Sequence, residues 1–176
     1  MNKLAEGPAH DAMVDVLATL ELARRLKAEP QMWGYLTGYF DKKIDADRIH
    51  KLPSKLDSNA EYALGLFVLP KLGNKCQWCA PVISIGQHHH YKNQTLWLRL
   101  DLPELAVTTA ESIDKTTWAL SKKLGDVGFV LPMTDHYTQH VKQKRKDIAM
   151  TNLAWIKENP ELFQAVCDYH QERKYE

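Results

Sequence analysis

The sequence predicts an α+β fold, and three observations carry that prediction. An amphipathic stretch from His10 to Lys27 comes first, alternating apolar segments fill the middle, and two further helical stretches follow. Grouped strands flanked by helices, with no regular βαβ alternation, argue against a doubly wound sheet. With 176 residues, 44% of them apolar and 26% charged, the chain can bury a real core in one ordinary domain or two small ones. Lys and Arg number 23 and Asp and Glu 22, a formal charge of +1, so any contact with nucleic acid has to come from a local patch. No apolar run is long enough to span a membrane. Met1 to Pro8 lack the apolar segment of a secretory signal. Three cysteines without an export signal predict reduced thiols in the cytoplasm.

Each element has its own signal. Met13, Val16, Leu17, Leu20 and Ala23 recur at helical spacing, with Glu21, Arg24, Arg25 and Lys27 on the other side and Pro8 and Pro30 as punctuation. Pro30 opens a second, aromatic helix over Gln31 to Phe40, and a helical turn is expected at Ala46 to Lys51. Tyr62 to Leu69 reads as a strand or a short buried helix, which periodicity alone does not separate. Trp78 to Ile85 and Gln94 to Asp101 read as strands joined by the polar hairpin Gly86 to Asn93. Thr109 to Leu124 is predicted to be a helix ended by Gly125, and Val127 to Leu131 a short strand. Pro132 to Asp147 reads as irregular. Helices are expected over Ile148 to Lys157 and Pro160 to Arg173, broken at Asn159-Pro160.

Several residues could carry chemistry. His10 precedes Asp15 by five positions, a spacing that by itself is equally a histidine near a helix start and a solvated, dipole-stabilised aspartate. Lys142, Lys144, Arg145 and Lys146 place four cations in five residues, with His136, Tyr137 and His140 upstream. Such a run is either a solvated loop or a phosphate contact, with Tyr137 able to stack on a base. Cys76-Gln77-Trp78-Cys79 has no second C-x-x-C to complete a zinc site, so its thiols are assigned to the strand and core. His88-His89-His90 cannot all converge on one ion from a hairpin. Trp78, Trp97, Trp118 and Trp155 are assigned to the core rather than to base stacking.

The string His10-Asp11-Ala12-Met13-Val14-Asp15-Val16, followed by Ala18-Thr19, resembles the last catalytic motif of the exodeoxyribonuclease I family, DEDDh 3′→5′ exonucleases acting on single-stranded DNA. The resemblance continues in patches through Pro30 to Leu36, Gly73-Asn74, Trp78 to Pro81, Asp101-Leu102 and Lys157 to Pro160. It implies that residues 1–29 are the end of an RNase H-like exonuclease domain. Residues 30–176 would then be an SH3-like β-barrel domain with flanking helices. It further implies His10 as general base and Asp15 as a carboxylate ligand for Mg²⁺ in the complete family enzyme. Tyr35 and Lys157 would lie near a pocket for the acidic tail of single-strand-binding protein. The family's other carboxylate ligands lie upstream of the motif, and only Glu6 is acidic before His10. The expectation is therefore a middle piece that contributes DNA-groove and partner surface, holds no metal alone and is inactive alone. Two other readings stand beside it: a freestanding DNA- or protein-binding module without catalysis, and a small α+β protein whose similarity is local.

Overall fold

The computed structural model describes residues 11–53 and 62–174. Its architecture is α+β: among the described residues, three N-terminal helices, a five-stranded antiparallel sheet interrupted by short helices, and two C-terminal helices. The first helix, α1 (Ala12–Lys27), starts on Asp11, whose Oδ1 accepts from the Met13 and Val14 amides at 2.9 and 3.1 Å. It is amphipathic as predicted, yet buries none of its residues: Met13, Val16, Leu17 and Leu20 are all exposed. Next come α2 (Pro30–Thr37), with Pro30 at its first position, and α3 (Lys42–His50). The latter is longer than the predicted turn because Asp41 caps it, accepting from the Lys43 and Ile44 amides.

The strands are β1 (Leu64–Val68), β2 (Cys79–Gln87), β3 (Gln94–Arg99), β4 (Ala119–Lys123) and β5 (Phe129–Leu131). Their order in the sheet is β4-β3-β2-β1-β5, which leaves β4 and β5 at the edges. The ambiguous segment from Tyr62 is thus a strand, paired with β2 from Leu64↔Ile83 to Val68↔Cys79. One face of the sheet, with Ile83, Ile85, Leu96, Leu98 and Leu100, packs under the last two helices, α6 (Gln143–Glu158) and α7 (Pro160–Glu172). The inward stripe of α7, Phe163, Val166, Cys167 and His170, follows helical spacing. The other face buries Phe67, Val82, Trp97, Leu120 and Val130.

The helix predicted over Thr109 to Leu124 is not formed. Only α4 (Ile113–Thr116) is helical there, and the chain then turns into β4. The β-favouring run Thr116-Thr117-Trp118 precedes an alternation in which Leu120 and Lys122 point inward and Ser121 and Lys123 outward. A buried lysine masked that alternation. Gly125 is correspondingly a turn residue after β4 at φ 73°, where a Cβ would meet Lys42 Cγ and the Phe40 carbonyl oxygen. The segment predicted as irregular holds α5 (Asp135–Thr138) and the first turn of α6, which begins five residues earlier than expected. Trp97 is fully buried and Trp155 partly so, but Trp118 and Trp78 are 60% and 50% exposed, against expectation. Trp118 stands where an edge strand starts, and Trp78 sits in a left-handed turn.

Lys122 explains how a charge can lie under the sheet. Its Nζ donates to Asp45 Oδ2 at 2.7 Å and to the Gly128 carbonyl at 2.9 Å, while the Gly125 amide also donates to Asp45 Oδ2. The pair joins α3 to the connection between β4 and β5 with both side chains at most 1% exposed. Removing one partner strands the other, so Asp45→Asn or Lys122→Met is expected to cost about 3–5 kcal/mol, read by urea unfolding.

His170 is buried on α7 and its pKa is pushed down to about 4, by burial first and by the nearby Arg173 charge second. Thr117 Oγ1 donates to the Ile113 carbonyl, so it accepts from the imidazole Nε2–H at 2.7 Å, and the ring is neutral. The folded pKa lies below the ordinary value, so the unfolded chain binds the extra proton between about pH 6.5 and 4. Stability present above that window is lost as pH falls through it, by up to about 3 kcal/mol. His170→Gln should flatten that part of a stability profile measured by denaturant unfolding across the same pH range.

Candidate nucleic-acid and peptide interface

The site is organised around a buried carboxylate. Arg99 and Asp101 are two apart on an extended segment, so they share a side of the chain. Arg99 Nε and Nη2 each donate to Asp101 at 3.0 Å. Arg145, from the first turns of α6, donates through Nε and Nη2 to Asp101 Oδ2 at 2.9 and 2.5 Å. Its Nη1 and Nη2 also donate to the Cys76 and Cys79 carbonyls at 2.8 and 2.6 Å. Burial disfavours the Arg99 charge, but the Asp101 hydrogen bonds and charge outweigh it and hold the guanidinium pKa above its ordinary value. Arg145 is therefore the member of the basic run that points inward. It ties α6, the Cys76–Cys79 turn and the end of β3 together. Asn152, one helix face further on, donates to the Leu100 and Leu102 carbonyls at 2.7 Å each.

The other members of the run stay available to solvent. Lys142 and Lys144 are exposed, and the Lys142 amide donates to Gln77 Oε1 at 3.3 Å. Lys146 turns along the helix to the rim of a groove of about 500 Å³, which also carries Lys157. The two lysines are eleven residues apart, about three turns and ~16 Å along one face of α6. Between them the floor is apolar: Leu100, Met133, Ala149, Met150 and Leu153. An apolar trough with a cation towards each end suits an extended acidic peptide that carries an apolar side chain.

Tyr35 and Tyr137, predicted for different partners, meet in one cluster. The Tyr137 hydroxyl donates to Tyr35 Oη at 3.4 Å, and Tyr35 and Tyr39 share a hydroxyl contact of 3.1 Å. The Arg48 guanidinium lies 4.2 Å from the centroids of both the Tyr35 and Tyr39 rings and donates to the Tyr35 carbonyl. Burial raises the Tyr35 and Tyr39 pKa values, and the Tyr35 hydrogen bond raises that of Tyr137, so all three hydroxyls are protonated and polar at neutral pH. Tyr35 is not part of the groove lined by Lys146 and Lys157.

At the other end of the chain, Asp15 is an exposed carboxylate in the first turn of α1. His10 lies outside the described residues. Among the described residues no three of the His, Cys, Asp and Glu side chains are grouped to hold a metal ion. One carboxylate beside a capping Asp11 does not fit a pair of Mg²⁺ ions, which takes several oxygen ligands. The three hairpin histidines do not converge: His88 is buried and its Nδ1 accepts from the His90 amide, whereas His89 Nδ1 and His90 Nε2 face Glu172 at 2.6 and 3.5 Å. The three cysteines are free thiols, and burial pushes Cys167 up to about 12.

Sequence reasoning missed Asp101, Arg48 and Asn152 as organisers. The Arg99-x-Asp101 spacing on a strand was a signal for the first. The other two meet their partners only through tertiary contact.

No family model and no curated protein sequence matches the chain. Solved structures do. A structure of exonuclease I superposes with a TM-score of 0.66 at 18% identity, covering 96% of this chain and 38% of that one. E. coli exonuclease I in complex with a dA16 oligonucleotide gives 0.66 at 17% identity, with 96% and 39% covered. The complex of single-strand-binding protein (SSB) and exonuclease I with the inhibitor CFAM gives 0.63 at 16%, with 96% and 38% covered. The chain spans less than two fifths of the length of these structures. Over nearly its whole length it has the fold of one part of exonuclease I.

Proposed function

We propose that this chain is a part of an exonuclease I-like, 3′→5′ single-strand DNA nuclease, supplying DNA-groove and partner surface rather than a complete catalytic centre. The observation that carries the reading is the shared fold over 96% of the chain, at a helix that leaves its apolar stripe open. In this reading residues 1–29 are the closing helix of an RNase H-like exonuclease domain, and residues 30–176 are an SH3-like domain whose barrel is built on the five-stranded sheet. Met13, Val16, Leu17 and Leu20 then pack against the remainder of that exonuclease domain. His10 and Asp15 are contributed to a centre whose other carboxylates, and so its Mg²⁺ ions, depend on residues beyond these. The chain alone neither holds the metals nor cleaves DNA. It works in the cytoplasm, where its thiols remain reduced.

Lys142, Lys144 and Tyr137 are the phosphate and base contacts in this reading, and Arg145 positions the helix that presents them. Lys146 and Lys157 flank the trough for an acidic tail of the kind carried by single-strand-binding protein. The exonuclease I structures include complexes with single-stranded oligonucleotides and one with SSB.

Fluorescence anisotropy with a labelled oligothymidylate tests the central claim. Binding should weaken steeply with salt, and Lys142→Ala with Lys144→Ala should lower the slope of log K against log salt by about 1.4, near 0.7 per phosphate contact. That double variant should unfold within about 0.5 kcal/mol of the parent. Arg145→Ala should instead lose about 1–3 kcal/mol of stability, because the Cys76 and Cys79 carbonyls lose their donor while Asp101 keeps Arg99. Oligothymidylate binding absent at low salt, or magnesium-dependent digestion by the purified chain, would show the reading to be wrong.

A further inference from the structure

Two tryptophans stand out in solvent beside cations that no contact described so far uses. Trp118 is 60% exposed at the start of β4. The Arg99 amide donates to the Trp118 carbonyl at 2.9 Å, one step beyond the Leu98↔Ala119 pair, so the two side chains rise on one face of the sheet as cross-strand neighbours. They border a cleft of about 430 Å³, which Lys71, Leu72, Ser121 and Arg173 complete. Lys71 and Arg173 are exposed, and among the described residues no acidic one lines the cleft. The one carboxylate behind it, Asp101, is shared by two guanidiniums, so that triad keeps one positive charge.

The second tryptophan is held out at a cost. Gln77 and Trp78 are consecutive residues at φ 55° and 54°, a left-handed pair without a glycine. Each such residue costs on the order of 1 kcal/mol or more, and for a bulky side chain the region is an outlier. The strain leaves Trp78 50% exposed rather than tucked into the adjacent core. The turn is fixed from both sides: the Leu69 amide donates to the Trp78 carbonyl at 2.8 Å, and Gln77 Oε1 accepts from the Lys142 amide. It therefore connects the segment that carries Lys71 to the start of α6, where Lys142 and Lys144 are exposed.

From this we infer that the cleft between Trp118, Lys71 and Arg173 is a second single-stranded nucleic-acid subsite, continued towards Lys142 and Lys144 by Trp78. A base stacks on the Trp118 indole, and the flanking phosphates meet Lys71 and Arg173. Interleaved aromatics and cations of this kind bind single strands with little sequence preference, because every base offers a π-face and every nucleotide a charge. An acidic peptide shares only the charge, so it leaves the two exposed indoles unexplained. The inference rests on the single-strand reading above and specifies where, beyond the α6 lysines, the strand is gripped.

The full chain is titrated with a labelled oligothymidylate and with an abasic strand of equal length. Trp118→Ala should weaken the oligothymidylate about 10-fold and the abasic strand less than about 2-fold, whereas Trp118→Phe should stay within about 3-fold of the parent. Lys71→Ala with Arg173→Ala should weaken both strands and lower the salt slope by about 1.4. Because Trp118, Lys71 and Arg173 are exposed, unchanged melting curves will accompany these effects. Equal affinity of Trp118→Ala and the parent, with Lys142→Ala and Lys144→Ala still weakening binding, would remove this cleft and leave the broader reading in place. Absence of any oligothymidylate binding by the parent removes both. Competition at Trp118 by an acidic peptide but not by the oligothymidylate would assign the cleft to a protein partner and overturn the inference.

Discussion

A carboxylate with two guanidiniums holds the working surface of this protein in place. Asp101 is almost wholly buried, and a lone carboxylate there would be untenable; Arg99 from its own segment and Arg145 from α6 both donate to it. Because Arg145 also donates to the Cys76 and Cys79 carbonyls, one side chain couples the last helix pair, the strained turn before β2 and the end of β3. Several of the residues proposed to meet a ligand hang from those pieces or from the strand beside them. Lys142, Lys144, Lys146 and Lys157 ride on α6, Trp78 on the turn, and Trp118 on the strand beside Arg99.

A second buried pair does comparable work on β4, the strand beside β3. Lys122 and Asp45 fasten α3 to the β4–β5 connection, and α3 in turn carries Arg48 into the Tyr35–Tyr39 pair. Tyr137 reaches that cluster from the segment before α6, so the N-terminal helices and the C-terminal pair meet through hydroxyls and a cation over two rings. The sheet is thus held by two buried ionic clusters, in which Lys122 and the two guanidiniums each find a carboxylate.

The fold and the chemistry separate cleanly along the chain. The match to exonuclease I covers nearly all of this chain and under two fifths of those structures, and the predicted catalytic motif brings two exposed carboxylates to the described residues, the helix cap Asp11 and Asp15, with no group of three metal ligands among those residues. The described residues carry a trough with a lysine towards each end, a tyrosine cluster and an exposed tryptophan cleft, which are the surfaces proposed above for ligands. The apolar stripe of α1 is exposed.

Local pattern along the chain was enough for the α+β class, α1, α2 and α7, the strands around Val82 and Leu98, the hairpin between them and the break at Asn159-Pro160. Each of these is written in local periodicity, in a capping side chain or in a proline, which act within a few residues. Its run of four cations was also visible. Which of the four turns inward depends on long-range contact: Arg145 is drawn in by an aspartate 44 positions away in sequence. The same reason explains β4, where Lys122 looked like a surface residue until Asp45 and the Gly128 carbonyl gave it a buried place. It also explains Trp118 and Trp78, whose composition says core but whose backbone positions, an edge-strand start and a left-handed turn, put them in water. A charge or an indole takes its role from its partners, and those partners come from parts of the chain that local pattern does not connect.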